Sequence, residues 1–151
     1  FGQVSEVFFM LLLPVFLKRY GLKTTLLVGM AAWAIRYLLF AYGDAGAGVW
    51  MLFSGIILHG ICYDFFFVSG QIYTDYKAGE KIKSSAQGLI TLATYGVGML
   101  VGFWLAGKIY DHYTDVAGAQ DWKMIWTIPA GIAAVVMVLY AMVFKNEKIN
   151  T

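Results

Sequence analysis

The chain has 151 residues, of which 60% are hydrophobic and only 13% are charged, whereas soluble domains average roughly 45–50% and about 25%. This composition predicts a membrane protein and excludes an ordinary soluble domain. The net charge of +2 is too small to indicate binding to nucleic acid. The chain begins with Phe1 rather than methionine and lacks a signal-peptide pattern, so we expect it to be a piece of a longer protein.

Five apolar segments follow one another, each near or above the roughly 20 residues that a helix needs to cross a bilayer. They cover about residues 1–17, 24–42, 49–73, 86–109 and 124–144. None alternates with the period of a barrel strand, and a chain in lipid must satisfy its backbone polar groups internally. The predicted fold is therefore all-α, a polytopic membrane helix bundle with short connectors.

Basic residues in the connectors predict the orientation of these helices, because loops rich in Lys and Arg stay on the cytoplasmic side. Eight of the eleven Lys and Arg residues lie in alternate connectors or in the tail: Lys18, Arg19, Lys23, Lys77, Lys81, Lys83, Lys145 and Lys148. The other connectors carry aspartates. This pattern predicts a multi-pass protein whose C-terminus is cytoplasmic and whose N-terminus is outside.

Several polar residues lie far from the predicted helix ends. Counted from the cytoplasmic ends, Glu6, Arg36 and Asp64 are each roughly 16 to 18 Å deep, close to the middle of a layer about 30 Å thick. Gln3 and His59 lie about one turn farther out. Ionisable residues at such depth are costly in lipid, and they usually pair with each other or mark a solute or proton pathway.

Helical spacing sorts these residues by face. Gln3 and Glu6 are three residues apart, and His59 and Tyr63 are four apart, so each pair projects from one side of its helix. The two pairs together offer hydrogen-bond donors, acceptors and an aromatic ring. Such a set suits a solute with a flat aromatic part and several hydroxyl or amide groups, and we expect the two faces to meet.

The ionisable residues also have structural interpretations. Equal depth on hairpin-connected helices favours a charge pair between Arg36 and Asp64, while a proton-coupling role for Asp64 stays open. Apart from Arg36, no basic residue lies at the depth of Glu6. Glu6 therefore either lines a cavity, where it meets water, a solute or a proton, or has a structural role in helix packing. Tyr95 and its neighbouring threonines receive no role, because threonine also bonds to its own helix.

Other function classes find less support. The sequence has no nucleophile–base arrangement, no metal-ligand cluster and no phosphate-binding glycine loop, so it recommends neither an enzyme nor a metal or cofactor site. The single cysteine, Cys62, has no disulfide partner in the chain. A carrier for another solute, such as a sugar or a drug, and a membrane helix scaffold without transport activity are the competing interpretations.

Five stretches, in fixed order along the chain, carry a resemblance to a known family. They are GQVSEVFFMLLLPVFLKRYGLK, AWAIRYLLFAYGD, GICYDFFFVSGQIY, SSAQGLITLATYGVG and DWKMIW. They resemble the nucleoside:H+ symporter family of the major facilitator superfamily. The resemblance implies that the five segments are helices eight to twelve, part of a C-terminal six-helix half, and that the seventh helix and the N-terminal half are missing.

The resemblance also implies a function, the uptake of purine and pyrimidine nucleosides with protons by alternating access in a bacterial cytoplasmic membrane. Gln3 and Glu6 match the family's nucleoside-contacting GQxSE element, and His59 and Tyr63 match its substrate-facing aromatic positions. Coupling to protons is then expected of Glu6 or Asp64. His59 departs from the tyrosine of the family pattern, which bears on base preference. The implied partners are nucleosides, protons, lipid and the missing helices, without nucleic acid.

Overall fold

The computed structural model describes residues 1–116 and 118–145, and these residues are mostly helical. Four long helices follow in order: α1 (Gly2–Tyr42), α2 (Val49–Ala78), α3 (Lys83–His112) and α4 (Trp122–Val143). All four are long and apolar enough to cross a membrane, which confirms the predicted all-α membrane fold. Lys148, one of the residues behind the predicted orientation, lies outside the described residues, and the orientation stays a prediction.

Helix α1 consists of two arms joined at a sharp break. At Gly21 the backbone has φ 77° and ψ 171°, a conformation that glycine reaches without a Cβ clash. The arms, residues 2–20 and 22–42, fold back on one another, because Glu6 and Arg36 contact the same residue of α2. In a straight helix these two residues would lie about 45 Å apart. The structure therefore has helix over all five predicted segments.

Helices α2 and α3 each contain a wider π-helical turn near the middle. In α2 it covers Asp64–Val68, between the α-helical parts Val49–Tyr63 and Ser69–Ala78. In α3 it covers Leu92–Gly98. The extra residue in such a turn shifts the helix faces on its two sides relative to each other, and π turns occur frequently at functional sites. The turn of α2 begins at one of the predicted ionisable residues.

The second arm of α1 packs antiparallel against α2 in a fixed register. Three close contacts at glycines define it: Gly43 with Leu52, Phe40 with Gly55, and Gly29 with Phe66. From one contact pair to the next, the residue number decreases along α1 by the same amount as it increases along α2. The same register places Arg36 opposite His59 and Ala31 opposite Asp64.

The first arm of α1 approaches α2 closely at Ser5 and Gly60. The Gly60 backbone N–H donates to Ser5 Oγ at 3.2 Å, and Ser5 is buried. A Cβ added to Gly60 would lie 2.6 Å from the carbonyl carbon and oxygen of Ser5, which is closer than real side-chain atoms approach. This contact brings Glu6, the next residue along the arm, to His59.

Replacing Gly60 by alanine is expected to destabilise the protein, because overpacking a close contact costs about 1–3 kcal/mol and the nearest atoms here belong to backbone. Thermal unfolding of the complete purified protein measures the effect. Gly70→Ala on the same helix is the matched control, since a Cβ there meets nothing within 4 Å. The Gly60 variant should melt at a lower temperature than the control, and equal melting temperatures would contradict the close approach.

Helices α3 and α4 complete the structure. None of the described residues of α3 is buried, and its contact with α2 is partly polar. Gln87 Nε2 donates to Asp75 Oδ1 at 2.5 Å, and Lys83 Nζ lies 3.1 Å from Asp75 Oδ2. Helix α4 packs on the second arm of α1, where the rings of Phe40 and Trp126 are 5.1 Å apart. The core therefore lies between α1 and α2.

Candidate functional site

Three side chains from three helical segments form a polar cluster: Glu6 on the first arm of α1, Arg36 on the second arm, and His59 on α2. His59 Nε2 lies 3.0 Å from Glu6 Oε1, and Arg36 Nη1 lies 2.7 Å from His59 Nδ1. The side chains of His59 and Glu6 are 36% and 29% exposed. This Glu6–His59–Arg36 cluster is therefore open on one side.

The predicted charge pair between Arg36 and Asp64 is not present in the structure. Arg36 contacts His59 instead, and neither oxygen of Asp64 has a hydrogen-bond partner among the described residues. The antiparallel register of α1 and α2 is the reason. Arg36 faces His59, whereas Asp64 lies five residues farther along α2, about 7.5 Å away along the helix axis.

Asp64 is the only buried carboxyl group in the described part of the chain. Its relative exposure is 0%, and the neighbouring Cys62 and Phe65 are buried with it. Burying an ionised carboxylate without a partner costs far more free energy than burying a neutral carboxylic acid.

An aromatic row extends from the polar cluster toward α3, and its members are His59, Tyr63, Phe67 and Tyr95. The ring centroids of His59 and Tyr63 are 6.2 Å apart, and those of Tyr63 and Phe67 are 5.3 Å apart. Phe67 stacks on Tyr95 at 5.7 Å and 30°. The hydroxyl oxygens of Tyr63 and Tyr95 are 2.7 Å apart, so one donates to the other. The row offers ring faces and hydroxyl groups beside the cluster.

The structure brings together three of the four residues that the sequence suggests for a solute site, namely Glu6, His59 and Tyr63. Gln3 lies one turn before Glu6 on the first arm. Its side chain is exposed and makes no hydrogen bond to the described part of the chain. Gln3 is thus near the cluster, but no hydrogen bond fixes the orientation of its side chain within the described residues.

Sequence reasoning missed Ser5 and Tyr95. Ser5 matters because its backbone contact with Gly60 sets the distance between Glu6 and His59. A small residue facing a glycine on another helix was the available signal, but the sequence does not show which glycine faces it. Tyr95 lies in the π-helical turn of α3, where ordinary helical spacing does not predict which residues share a face.

An apolar cavity of about 400 Å³ lies apart from the polar cluster, between the second arm of α1, α3 and α4. Trp33, Tyr37, Leu105 and Trp126 are among its lining residues. No charged side chain lines it, and its lining is predominantly apolar, unlike that of the polar cluster. Within residues 1–116 and 118–145, no group of three or more His, Cys, Asp or Glu residues is placed to hold a metal ion.

Comparison with known proteins defines the class to which this helical structure belongs. The family model described as nucleoside H+ symporter matches residues 1–149. The chain belongs to the nucleoside H+ symporter family, which confirms the resemblance seen in the sequence.

Individual relatives include two proteins of Escherichia coli (strain K12). YegT is 44% identical over 153 residues, covering 97% of this chain and 36% of YegT. The xanthosine permease is 40% identical over 145 residues, covering 95% of this chain and 34% of the permease. The crystal structure of the nucleoside transporter NupG matches with a TM-score of 0.87 and 36% identity, covering 97% of this chain and 36% of that chain. This chain therefore spans about a third of the length of these relatives.

Proposed function

We propose that this chain is part of a proton-coupled nucleoside transporter that works by alternating access in a bacterial cytoplasmic membrane. It supplies helices eight to twelve, and a seventh helix and an N-terminal half of the same protein close the other side of the solute chamber. The C-terminus faces the cytoplasm. Membership of the nucleoside H+ symporter family supports this proposal. The structural match to about a third of the nucleoside transporter NupG and the sequence similarity to a xanthosine permease support it as well.

The observation that carries the proposal is the partly exposed Glu6–His59–Arg36 cluster beside the aromatic row. A nucleoside combines a flat base with a ribose that bears several hydroxyl groups. Glu6 Oε1 is engaged by His59, while Oε2 has no partner in the described residues and accepts a hydrogen bond from the solute. The rings of Tyr63 and Tyr95 stack against the base, and the exposed amide of Gln3 adds a donor and an acceptor.

Proton coupling belongs to Asp64 and Glu6 in this proposal. Asp64 is buried without a hydrogen-bond partner among the described residues, so it keeps its proton while the surrounding helices stay closed. A rearrangement that admits water or a cationic partner lets the proton leave, because the ionised form is then solvated. Protonation of Glu6 removes the negative charge that His59 faces. Both steps link the proton to the movement of the helices around the solute.

Uptake of radiolabelled uridine, adenosine and xanthosine by the complete transporter in proteoliposomes tests the function. With an inward gradient of one pH unit and one proton per solute, accumulation of about tenfold is expected, and without the gradient the ratio should be about one. Unlabelled nucleosides should compete and hexoses should not. Accumulation that does not depend on the gradient contradicts proton coupling, and competition by hexoses alone contradicts the solute class.

A further inference from the structure

Arg36 determines which way His59 makes its hydrogen bonds. A guanidinium group has donors only, so at 2.7 Å from Arg36 Nη1 the Nδ1 atom of His59 accepts and carries no proton. In a neutral imidazole the ring proton then lies on Nε2. That atom is 3.0 Å from Glu6 Oε1, where it donates to the carboxylate. The three groups thus form one directed chain of hydrogen bonds.

From this geometry we infer that Arg36 is a positioning residue, which acts through His59 to hold the Glu6 carboxylate in one orientation toward the nucleoside. The inference rests on the proposed function of Glu6. With Oε1 occupied by His59, Oε2 is the oxygen that faces the solute. If His59 carried its proton on Nδ1, its Nε2 lone pair would face the carboxylate, and Glu6 would turn away.

Arg36 is itself held in place by aromatic packing. Its Cζ atom lies 5.3 Å from the centroid of the Phe40 ring, a cation–π distance. Phe40 is fixed on two sides, since its ring is 5.1 Å from that of Trp126 and an added Cβ on Gly55 would lie 2.5 Å from it. The guanidinium group thus has a packing partner besides His59. This second contact suits a residue whose role is to orient another.

The protonation of His59 tests the inference without any nucleoside. Solid-state ¹⁵N NMR of the complete, ¹⁵N-histidine-labelled transporter in lipid should show His59 with a proton on Nε2 and none on Nδ1. His59→Gln removes this signal and so assigns it. In Arg36→Met the donor to Nδ1 is lost, and a population with the proton on Nδ1 should form. A wild-type spectrum with Nδ1 protonated overturns the inference even if the variant does not fold, and so does an unchanged tautomer in Arg36→Met.

A double-mutant cycle tests whether Arg36 acts through His59 on solute affinity. The glutamine of His59→Gln can donate to Glu6 without help from Arg36. Arg36→Met should raise the nucleoside Kd about tenfold in the His59 protein, equivalent to about 1.4 kcal/mol, but less than about twofold in the His59→Gln background. Equal losses in both backgrounds, or no loss in either, would overturn the inference. If the wild-type protein binds no nucleoside, the proposed function fails while the NMR result still stands.

Discussion

Replacing Asp64 by asparagine should abolish uphill nucleoside accumulation while leaving nucleoside exchange across the membrane intact. Asparagine resembles aspartate in shape, so the enclosed site between the helices should keep its packing. It cannot gain or lose a proton, whereas Asp64 is fully buried without a partner in the described residues and holds one in the proposed cycle. In a gradient of one pH unit, the accumulation ratio should fall from about tenfold to about one.

Gradient-driven uptake and counterflow, measured in the same proteoliposomes, separate coupling from transport in the Asp64→Asn variant. Asp111→Asn is the matched control, because Asp111 is an exposed aspartate of α3 and the substitution makes the same chemical change. The control should accumulate nucleoside like the wild type. Wild-type accumulation by Asp64→Asn would refute the proton role, and loss of counterflow together with accumulation would indicate that Asp64 serves folding instead.

Replacing Glu6 by glutamine should raise the nucleoside KM about tenfold and weaken gradient-driven accumulation. Hydrogen bonds to a charged group are roughly twice as strong as neutral ones, so the loss of charge removes about 1 to 1.5 kcal/mol of solute binding. The cluster should keep its shape, because His59 Nε2–H can donate to the amide oxygen as it does to Glu6 Oε1 at 3.0 Å.

Initial rates of uptake over a range of nucleoside concentrations measure the KM of the Glu6→Gln variant. Glu80→Gln, in the exposed connector between α2 and α3, is the control and should leave KM unchanged. An unchanged KM in Glu6→Gln would remove Glu6 from the solute site. Undiminished accumulation in response to the gradient would reject its part in proton coupling.

The helices and the membrane class could be predicted from the sequence because both depend on local properties. Apolar length and composition decide whether a segment can span a bilayer, and the five predicted segments all fall on helix. The break at Gly21 could be placed only approximately, within the basic connector that begins at Lys18. The other residues of that connector are helical. The two arms of α1 are therefore joined by a single non-helical residue, Gly21.

The pairing of side chains could not be predicted in the same way, because depth in the membrane does not determine register. Arg36 and Asp64 lie at one predicted depth and are expected to pair. The close contacts between the second arm of α1 and α2, at Gly29 and at Gly55, instead set a register in which Arg36 meets His59. The hydrogen bond between Tyr63 and Tyr95 likewise depends on how α3 packs against α2. Such contacts depend on how several helices pack together, and the periodicity of a single helix does not predict them.

A structure of the complete transporter with a bound nucleoside tests the central claim most directly. The account predicts an oxygen of Glu6 within about 2.7–3.2 Å of a ribose hydroxyl or a base nitrogen, with the base against the ring of Tyr63 or Tyr95. A nucleoside bound in the apolar cavity between the second arm of α1, α3 and α4, or at any site that leaves Glu6 and Tyr63 without contact, would contradict it.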